Sequence, residues 1–385
     1  MNTKRAFTLV EILVVIAIIS ILAALVTVAV AGAMRAGKRA AISMEMSQIA
    51  MALEHYKAEF GEYPPDFFDD AALVRHVKKR WPRFDFQTSG VTTDAGLATQ
   101  LRLAMSLVYQ NPNVYPQGLM NEWIGTGASS ANIHCTTTST NIAALAFWLG
   151  GFPNQEGRFE GFSADPEAPF GRVGADGSTP NAINTGWTGS VAPADNNKIR
   201  IGTPDKKVFA ELEVNKNVFF FNGVDNSRTV LAPCLGTKSG STILPIVYFR
   251  GKADGGSDAY YALDRESTST RPLLKMYDFS NRIAATGSAP GTVWRDCKFA
   301  LPYAKSGNAQ REWFSNASNL PVWMEPTKYQ LIHPGLDGVF GEVVISGTNN
   351  MPYGRIISTG DGIRQNDLDN LTNFSDYKEL KSILP

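Results

Sequence analysis

A single carboxylate, Glu11, stands at the start of an apolar run that is otherwise uncharged as far as Met34. The basic pair Lys4–Arg5 precedes it, and Phe7 lies about one helical turn before it. A carboxylate in lipid costs about 2.5–3.5 kcal/mol, so Glu11 needs a cationic partner. Cleavage between Ala6 and Phe7 would create one, because the new α-amino group of Phe7 carries a positive charge. The Phe7 amine of a neighbouring copy could then neutralise Glu11 within a helical bundle, which makes Glu11 a candidate assembly residue.

The uncharged run from Ile12 to Met34 predicts a transmembrane helix. At 1.5 Å per residue it gives about 34 Å of helix, and a hydrocarbon core is about 30 Å thick. A secretory signal has a shorter apolar segment of about 7–15 residues. The small-x-small patterns in "VAVAGAM" nevertheless leave cleavage by an ordinary signal peptidase after Ala31 or Ala33 as an alternative. Basic residues flank both ends of the run, so the positive-inside rule assigns no orientation.

Apolar side chains continue along one side of the same helix beyond the membrane segment. They recur at steps of three and four, at Ile42, Met46, Ile49, Leu53, Tyr56 and Phe60. Gly61 and the "YPP" that follows predict the end of the helix. The sequence therefore predicts one helix over residues 7–60, transmembrane at about 12–34 and amphipathic at 35–60, whose last part docks a folded head.

Residues 61–385 have the sequence patterns of that folded head. Amphipathic patterns in "DDAALVRHVKKRW", "DAGLATQLRLAMSLVYQ" and "TNIAALAFWLGGF" predict three helices. Residues 153–200 are rich in Gly, Pro, Asn and Asp, which predicts long loops. From residue 207 onward, short runs such as "KVFAELEV", "NVFFFNGV", "ILPIVYFRG" and "YQLIHPG" predict strands. The predicted fold class is α+β, with one long N-terminal helix packed on an antiparallel sheet and a large insertion at about residues 66–325.

Composition and motifs argue against several other functions. The chain has 36 basic and 36 acidic residues, so no overall field attracts nucleic acid. The basic segment at residues 75–83 has the pattern of a solvated helix face. Cys135, Cys234 and Cys297 lack the spacing of a zinc or redox site, and the sequence does not indicate which two would form a disulfide. His134 adjoins Cys135, but neighbours in sequence are poorly placed to act as acid–base partners. We therefore predict that the protein is not an enzyme.

The segment "KRAFTLVEILVVIAIISILAAL", residues 4–25, resembles the class III signal of type IV pilins and of type II secretion pseudopilins. The resemblance implies that residues 1–6 are a leader peptide, which a prepilin peptidase removes by cutting after Ala6. It further implies that the same enzyme methylates the amine of Phe7, and that Thr8 and Glu11 open the assembly helix. The family usually has Gly before the cut, whereas this chain has Ala6.

Oxygen-bearing side chains crowd among glycines near the end of the chain. They lie in "HPGLDGVFGE" and "DGIRQNDLDNLTNF", and they include Asp337, Asp361, Asn366, Asp367, Asp369 and Asn370. Hard cations prefer such ligands. These stretches also resemble the C-terminal calcium loop of the major pseudopilins, which implies that Asp337, Asp367 and Asp369 hold Ca²⁺ with backbone carbonyls near Leu336. The inserted stretch "EVVISGTNNMPYGRIIS" makes this loop longer than its compact versions. Turns capped by Asp and Asn without a metal are the alternative.

The resemblance implies a pilin-like structural subunit of a type II secretion pseudopilus or a related type IV pilus filament. The implied partners are the prepilin peptidase and N-methyltransferase, other pseudopilin subunits and an inner-membrane assembly platform. The implied location is the inner membrane, crossed once, with a periplasmic head that later joins a periplasmic or extracellular filament. Because the head is much larger than that of the family's major subunits, the alternative is a membrane-anchored or filament-tip binding domain such as an adhesin, or a secreted domain with an ordinary signal peptide.

Overall fold

The structure is a computed structural model that describes residues 9–84, 93–94, 97–98, 101, 141–154, 156–173, 179–180, 199–200, 202–225, 228–239, 242–252, 263–264, 273–274, 277–278, 299–306, 322–341, 345–346, 351–352, 355–360, 363 and 365–385. Contacts within the chain divide it into two units, Met1–Glu45 and Met46–Pro385. The described part of the first unit is helical throughout, and the second unit contains the sheets.

Helix α1 begins at Leu9, ends at Phe60 and has 52 residues. Its large apolar side chains from Leu9 to Met34 have exposed fractions of 49–78%. The hydroxyl groups of Ser20 and Thr27 donate hydrogen bonds, each 2.8 Å long, to carbonyl oxygens four residues earlier in the helix. These polar side chains therefore need no partner outside the helix. By length and composition, α1 is long and apolar enough to span a membrane.

The last part of α1 belongs to the second unit and buries one face there. The buried side chains of this face are Met46, Ile49, Leu53 and Tyr56. Met51, between them in sequence, is 63% exposed on the other face. The Gly61 N–H donates to the Lys57 carbonyl at 2.7 Å with a φ of +75° at Gly61, which ends the helix. The predicted stripe is thus confirmed over residues 46–60, and so is the predicted stop.

Two shorter helices follow in the second unit. Helix α2, Asp70–Arg80, begins after Asp69, whose carboxylate accepts a hydrogen bond from the Ala72 N–H at 2.8 Å. Helix α3, Ala144–Gly150, follows a 3-10 turn at Asn141–Ala143 and ends at Gly151. A Cβ atom at Gly151 would overlap the Gly161 carbonyl, and the φ of +75° also favours glycine. Both helices were predicted from sequence; the helix predicted from residue 94 to 110 lies largely outside the described residues.

The described strands are short except for one hairpin. They are β1 (Arg172–Val173), β2 (Thr179–Pro180), β3 (Ile199–Arg200), β4 (Val218–Asp225), β5 (Arg228–Ser239), β6 (Thr242–Pro245), β7 (Val247–Arg250), β8 (Leu263–Asp264), β9 (Leu273–Leu274), β10 (Tyr277–Asp278), β11 (Phe299–Ala300), β12 (Tyr303–Ser306), β13 (Val322–Trp323), β14 (Tyr329–His333), β15 (Ile345–Ser346), β16 (Met351–Pro352), β17 (Arg355–Ile356) and β18 (Leu371–Thr372).

These strands form several small sheets. Strands β4, β5 and β6 make an antiparallel meander, and β14 lies between β18 and β7 in a second antiparallel sheet. Strand β12 lies between β13 and β17, and its pairing with β17 is parallel. The other described pairings, β2–β1–β3, β8–β9, β10–β11 and β15–β16, are antiparallel. A long N-terminal helix followed by mainly antiparallel sheets confirms the predicted α+β, pilin-like fold class.

Two clusters make up the described core of the second unit. One fills the space between the later strands, with Phe249, Trp323 and Ile332 among its members. The other is aromatic and centres on Trp148, whose ring centroid lies 4.8–6.4 Å from those of Tyr56, Phe67, Trp81 and Phe147. Each such ring pair stabilises the fold beyond the effect of the apolar area that it buries. The aromatic cluster ties together α1, α2 and α3.

The strand predicted for "KVFAELEV", residues 207–214, is wrong. The segment contains bends and isolated bridges at Glu213 and Val214 only. The Phe209 N–H donates at 2.8 Å to the carbonyl of Leu149 in the last turn of α3, so it is not available to a ladder. The Phe209 ring also packs on Tyr56, with centroids 4.9 Å apart. The end of the segment pairs only briefly with another part of the chain: the Phe159 N–H donates to the Leu212 carbonyl at 3.1 Å, and the Val214 N–H donates to the Gly157 carbonyl at 2.9 Å.

Candidate functional site

Glu11 lies in the first turn of α1, and its side chain is exposed. Around it the side chains of Leu9, Val10 and Ile12 are 78%, 67% and 51% exposed. An apolar surface of this kind is poorly solvated by water and requires lipid or another helix to cover it. Ala6, Phe7 and Thr8 lie outside the described residues, so the processing site and the pairing of Glu11 with a Phe7 amine stay predictions.

A buried polar network joins the end of α1 to α2 and β7. The Tyr56 hydroxyl lies 2.7 Å from His76 Nε2, and His76 Nδ1 lies 2.9 Å from Glu62 Oε1. The other Glu62 oxygen accepts a hydrogen bond from Arg250 Nη2 at 2.7 Å. Tyr56 and His76 are both 0% exposed. The network has the residue types of an acid–base relay, but burial of its hydroxyl and imidazole leaves it a structural role.

The network determines the charge states of its members. Burial lowers the pKa of His76 to about 4, so the imidazole is neutral at neutral pH. Burial alone would raise the pKa of Glu62, but hydrogen bonds from His76 and Arg250 and the Arg250 charge hold it well below its ordinary range. Burial raises the pKa of Asp66 to about 6, although it accepts hydrogen bonds from the backbone of Arg250 and Phe68.

The basic segment at residues 75–83 divides between surface and interior. Arg75, Lys78 and Lys79 are exposed, as the sequence predicted for a solvated face. Arg80 instead packs among aromatic rings, with its guanidinium carbon 4.5 Å from the ring centroids of Trp81 and Phe162. It also donates to the Tyr56 hydroxyl at 3.1 Å. The arginine therefore serves to hold α2 on α1.

The C-terminal loop brings Asp337 and Asp369 together. Asp369 Oδ2 accepts hydrogen bonds from the N–H groups of Leu336 and Asp337, at 2.9 and 3.2 Å. Asp337 Oδ1 accepts one from the Val339 N–H at 2.8 Å. Partial burial and the nearby carboxylates of Asp369 and Asp367 raise the pKa of Asp337 to about 6. A shared negative site of this kind favours either a proton or a cation.

Asp367, the third predicted ligand, lies inside the same region and is 0% exposed. Its Oδ1 lies 3.1 Å from Nη1 of Arg355, which is 1% exposed. The Tyr303 hydroxyl lies 3.3 Å from the same oxygen. The fit to a calcium ion is therefore uneven: Asp337 and Asp369 are near the surface and next to each other, whereas Asp367 already has a cationic partner. Among the described residues, no group of three or more His, Cys, Asp or Glu side chains is arranged to hold a metal.

The remaining candidate residues contribute no chemistry in the described part of the chain. Cys234 is buried in β5, with its sulfur 3.1 Å from the Leu235 carbonyl oxygen. Cys135, Cys297 and His134 lie outside the described residues, so the disulfide question stays open. His333 is the buried last residue of β14; its Nδ1 accepts from the Gly335 N–H at 3.1 Å and its Nε2 lies 2.8 Å from the Thr237 hydroxyl. It therefore shapes the C-terminal loop.

Sequence reasoning missed two arrangements. The Tyr56–His76–Glu62–Arg250 network joins residues up to 194 positions apart, and no local pattern relates them. The Arg355–Asp367 pair was also missed, although an arginine inside an otherwise apolar stretch, "YGRIIS", was a usable signal.

Comparison with known proteins identifies the N-terminal segment. Residues 1–27 match the family model of the prokaryotic N-terminal methylation motif. Comparison with curated proteins gives no match, and neither does comparison with solved structures. The matched residues run directly into α1. The chain thus carries a prepilin-type N-terminal motif, which implies processing by a prepilin peptidase, and the motif overlaps the start of a helix that is long and apolar enough to span a membrane.

Proposed function

We propose that the protein is a structural, non-enzymatic subunit of a type II secretion pseudopilus or of a related type IV pilus filament. One observation carries the proposal: the methylation motif at residues 1–27 continues into a single helix of 52 residues. The apolar side chains in the first half of that helix are exposed. Lipid can cover them before assembly, and neighbouring helices can cover them in a filament.

The proposed assembly step depends on an ion pair that Glu11 forms with a neighbouring subunit. A prepilin peptidase removes residues 1–6 and methylates the amine of Phe7, which stays positively charged. Glu11 of one subunit then pairs with the Phe7 amine of its neighbour. In an apolar bundle this pairing neutralises both charges at once, and a shifted neighbour would separate them. Glu11 therefore sets the register of one subunit against the next.

The proposed location follows from the same helix. The processed subunit crosses the inner membrane once and holds residues 61–385 in the periplasm. Its partners are the peptidase, other pseudopilin subunits and an inner-membrane assembly platform. The exposed apolar segment from Leu9 to Met34 supports the membrane stage.

The substitution Glu11→Ala tests the assembly step. We expect the variant to enter the membrane at least as well as the wild type, because it avoids a cost of about 2.5–3.5 kcal/mol. We expect its incorporation into filaments to fall below detection, because the Phe7 amine loses its partner. The measurement is the share of protein in sheared filaments against the membrane fraction. Glu211→Ala, which removes an exposed carboxylate from the head, is the control. Normal incorporation of the Glu11 variant would contradict the pairing.

We also propose that the C-terminal loop binds Ca²⁺ through Asp337 and Asp369. Their adjacency and the raised pKa of Asp337 support a cation at this place. Backbone carbonyls near Leu336 are candidates for further oxygen ligands. A bound ion would cancel the repulsion between the carboxylates and hold the loop to the segment that carries Asp369.

A further inference from the structure

Asp367 is a buried carboxylate that must be neutralised. It is 0% exposed, and so is the neighbouring Asn370. An isolated charge in such a place is costly unless a cation or several donors compensate it. Arg355 provides the cation at 3.1 Å, and the Tyr303 hydroxyl and the Asn370 amide provide donors at 3.3 and 3.5 Å.

Strand pairing sets the position of Arg355. Strand β17 pairs in parallel with β12, so that Arg355 lies opposite Tyr303 and Ile356 lies opposite Ala304. The guanidinium carbon lies 5.5 Å from the centroid of the Tyr303 ring. The same tyrosine therefore contacts both members of the ion pair. An arginine keeps its charge at any pH at which the protein is folded.

The arginine comes from the stretch that lengthens the loop. Residues 342–358, "EVVISGTNNMPYGRIIS", separate Asp337 from Asp367 and include β17. This stretch thus brings its own positive charge to the Asp367 carboxylate.

The loop backbone leaves little room beside Asp367. A Cβ atom at Gly341 would overlap the Asp367 carboxylate, and its φ is +108°. The backbone of the loop therefore packs directly on the ion pair. The space beside the Asp367 carboxylate is therefore small, and the Arg355 side chain lies in it.

We propose that Arg355 supplies, within the chain, the positive charge that Asp367 would otherwise take from a bound cation. This inference rests on the proposed cation role of the C-terminal loop. It leaves only Asp337 and Asp369 to the ion, so the loop keeps its fold without calcium. With two carboxylates in place of three, calcium binds in the weaker part of its protein range, at about 10⁻⁴–10⁻³ M.

The test compares three forms of the full chain in detergent: wild type, Arg355→Met and Arg355→Met with Asp367→Asn. The thermal midpoint of each is measured by tryptophan fluorescence in EGTA, in millimolar calcium and in millimolar magnesium. In EGTA we expect Arg355→Met to melt about 5–10 °C below the wild type, because it leaves a buried carboxylate unpaired. Calcium should restore most of this loss, and magnesium should not, because it gives up its water reluctantly.

The double variant is the matched control. It has no charge at either position, so it should melt within about 3 °C of the wild type and gain no more from calcium than the wild type does. An Arg355→Met protein that is as stable as the wild type in EGTA would overturn the inference. So would a loss that calcium does not reduce, or a variant that cannot be refolded even with calcium. If calcium raises the thermal midpoint of Arg355→Met but not that of the wild type, the result would support the role of Arg355 and contradict a calcium site at Asp337 and Asp369.

Discussion

The hydrogen bonds around His76 have only one consistent direction. Because the imidazole is neutral and its Nδ1 faces a carboxylate that can only accept, Nε2 is the unprotonated nitrogen, and the Tyr56 hydroxyl donates to it while accepting from Arg80. His76 Nδ1 then carries the proton and donates to Glu62, which also accepts from Arg250. Protonation of Nε2 would give the Tyr56 hydroxyl two donors and no acceptor. Burial keeps the imidazole neutral, and the charges of Arg250 and Arg80 lower its pKa further.

This arrangement predicts an acid-sensitive contribution to stability. His76 titrates near 6.5 in the unfolded chain and near 4 in the folded one, so only the unfolded chain takes up its proton between these values. Its contribution is complete above pH 6.5 and is lost as the pH falls toward 4. In His76→Gln, the fall in unfolding free energy from pH 7 to 4.5 should be smaller by about 2–3 kcal/mol.

Urea unfolding of the detergent-solubilised full chain at both pH values measures the difference. Asp66, whose raised pKa acts in the opposite direction, is present in both proteins and cancels. Equal pH profiles for wild type and variant would show that His76 does not titrate as described.

Single residues differ in how easily the sequence alone identifies their role. Glu11 is conspicuous because one charge in an apolar run is unusual wherever the chain folds. His76 is not, since its partners Tyr56 and Glu62 come from α1 and from the turn after it, and the arginine that holds Glu62 comes from a distant strand. The sequence did not indicate the partner of Asp367 either, because the pairing of β17 with β12 places Arg355 beside it. Only contacts made by the fold identify such partners.

At the scale of elements, the sequence patterns that gave correct predictions each describe one face or one end of a helix. The stripe of α1, its stop at Gly61 and the helix that ends at Gly151 were all predicted. The failure at residues 207–214 has a different cause. Alternation of apolar residues predicts a strand only where a neighbouring strand pairs along its whole length, and there the pairing is limited to isolated bridges at Glu213 and Val214 while the Phe209 N–H donates to α3.

The loop from His333 to Gly341 is the element that calcium would stabilise. At a concentration about ten times its dissociation constant, calcium should raise the thermal midpoint of the wild type by about 2–5 °C. Asp337→Asn should abolish this rise, because it removes one of two adjacent carboxylates. In EGTA the variant should be no less stable than the wild type, because the repulsion with Asp369 is relieved.

Glu156→Gln, at an exposed position away from the loop, is the control and should respond to calcium like the wild type. A calcium-dependent rise that persists in Asp337→Asn would place the ion elsewhere.

For the whole molecule, the chemistry is divided between the two units. The unit Met1–Glu45 carries the methylation motif and the exposed apolar helix. The unit Met46–Pro385 carries the aromatic core, the His76 network and the C-terminal loop. The proposed processing and assembly therefore depend on the first unit, and the stability predictions concern the second. The filament proposal can be tested by itself, whatever the head binds.

The most direct test of that proposal is the mass of the intact protein and of its N-terminal fragment after recovery from the native membrane. We expect a chain that begins at Phe7 and carries one methyl group on its amine. A chain that begins at Gly32 or Met34 would indicate an ordinary secretory signal, and one that keeps Met1 would indicate a plain membrane anchor. Either result would contradict the proposal that this protein is processed as a pilin-like filament subunit.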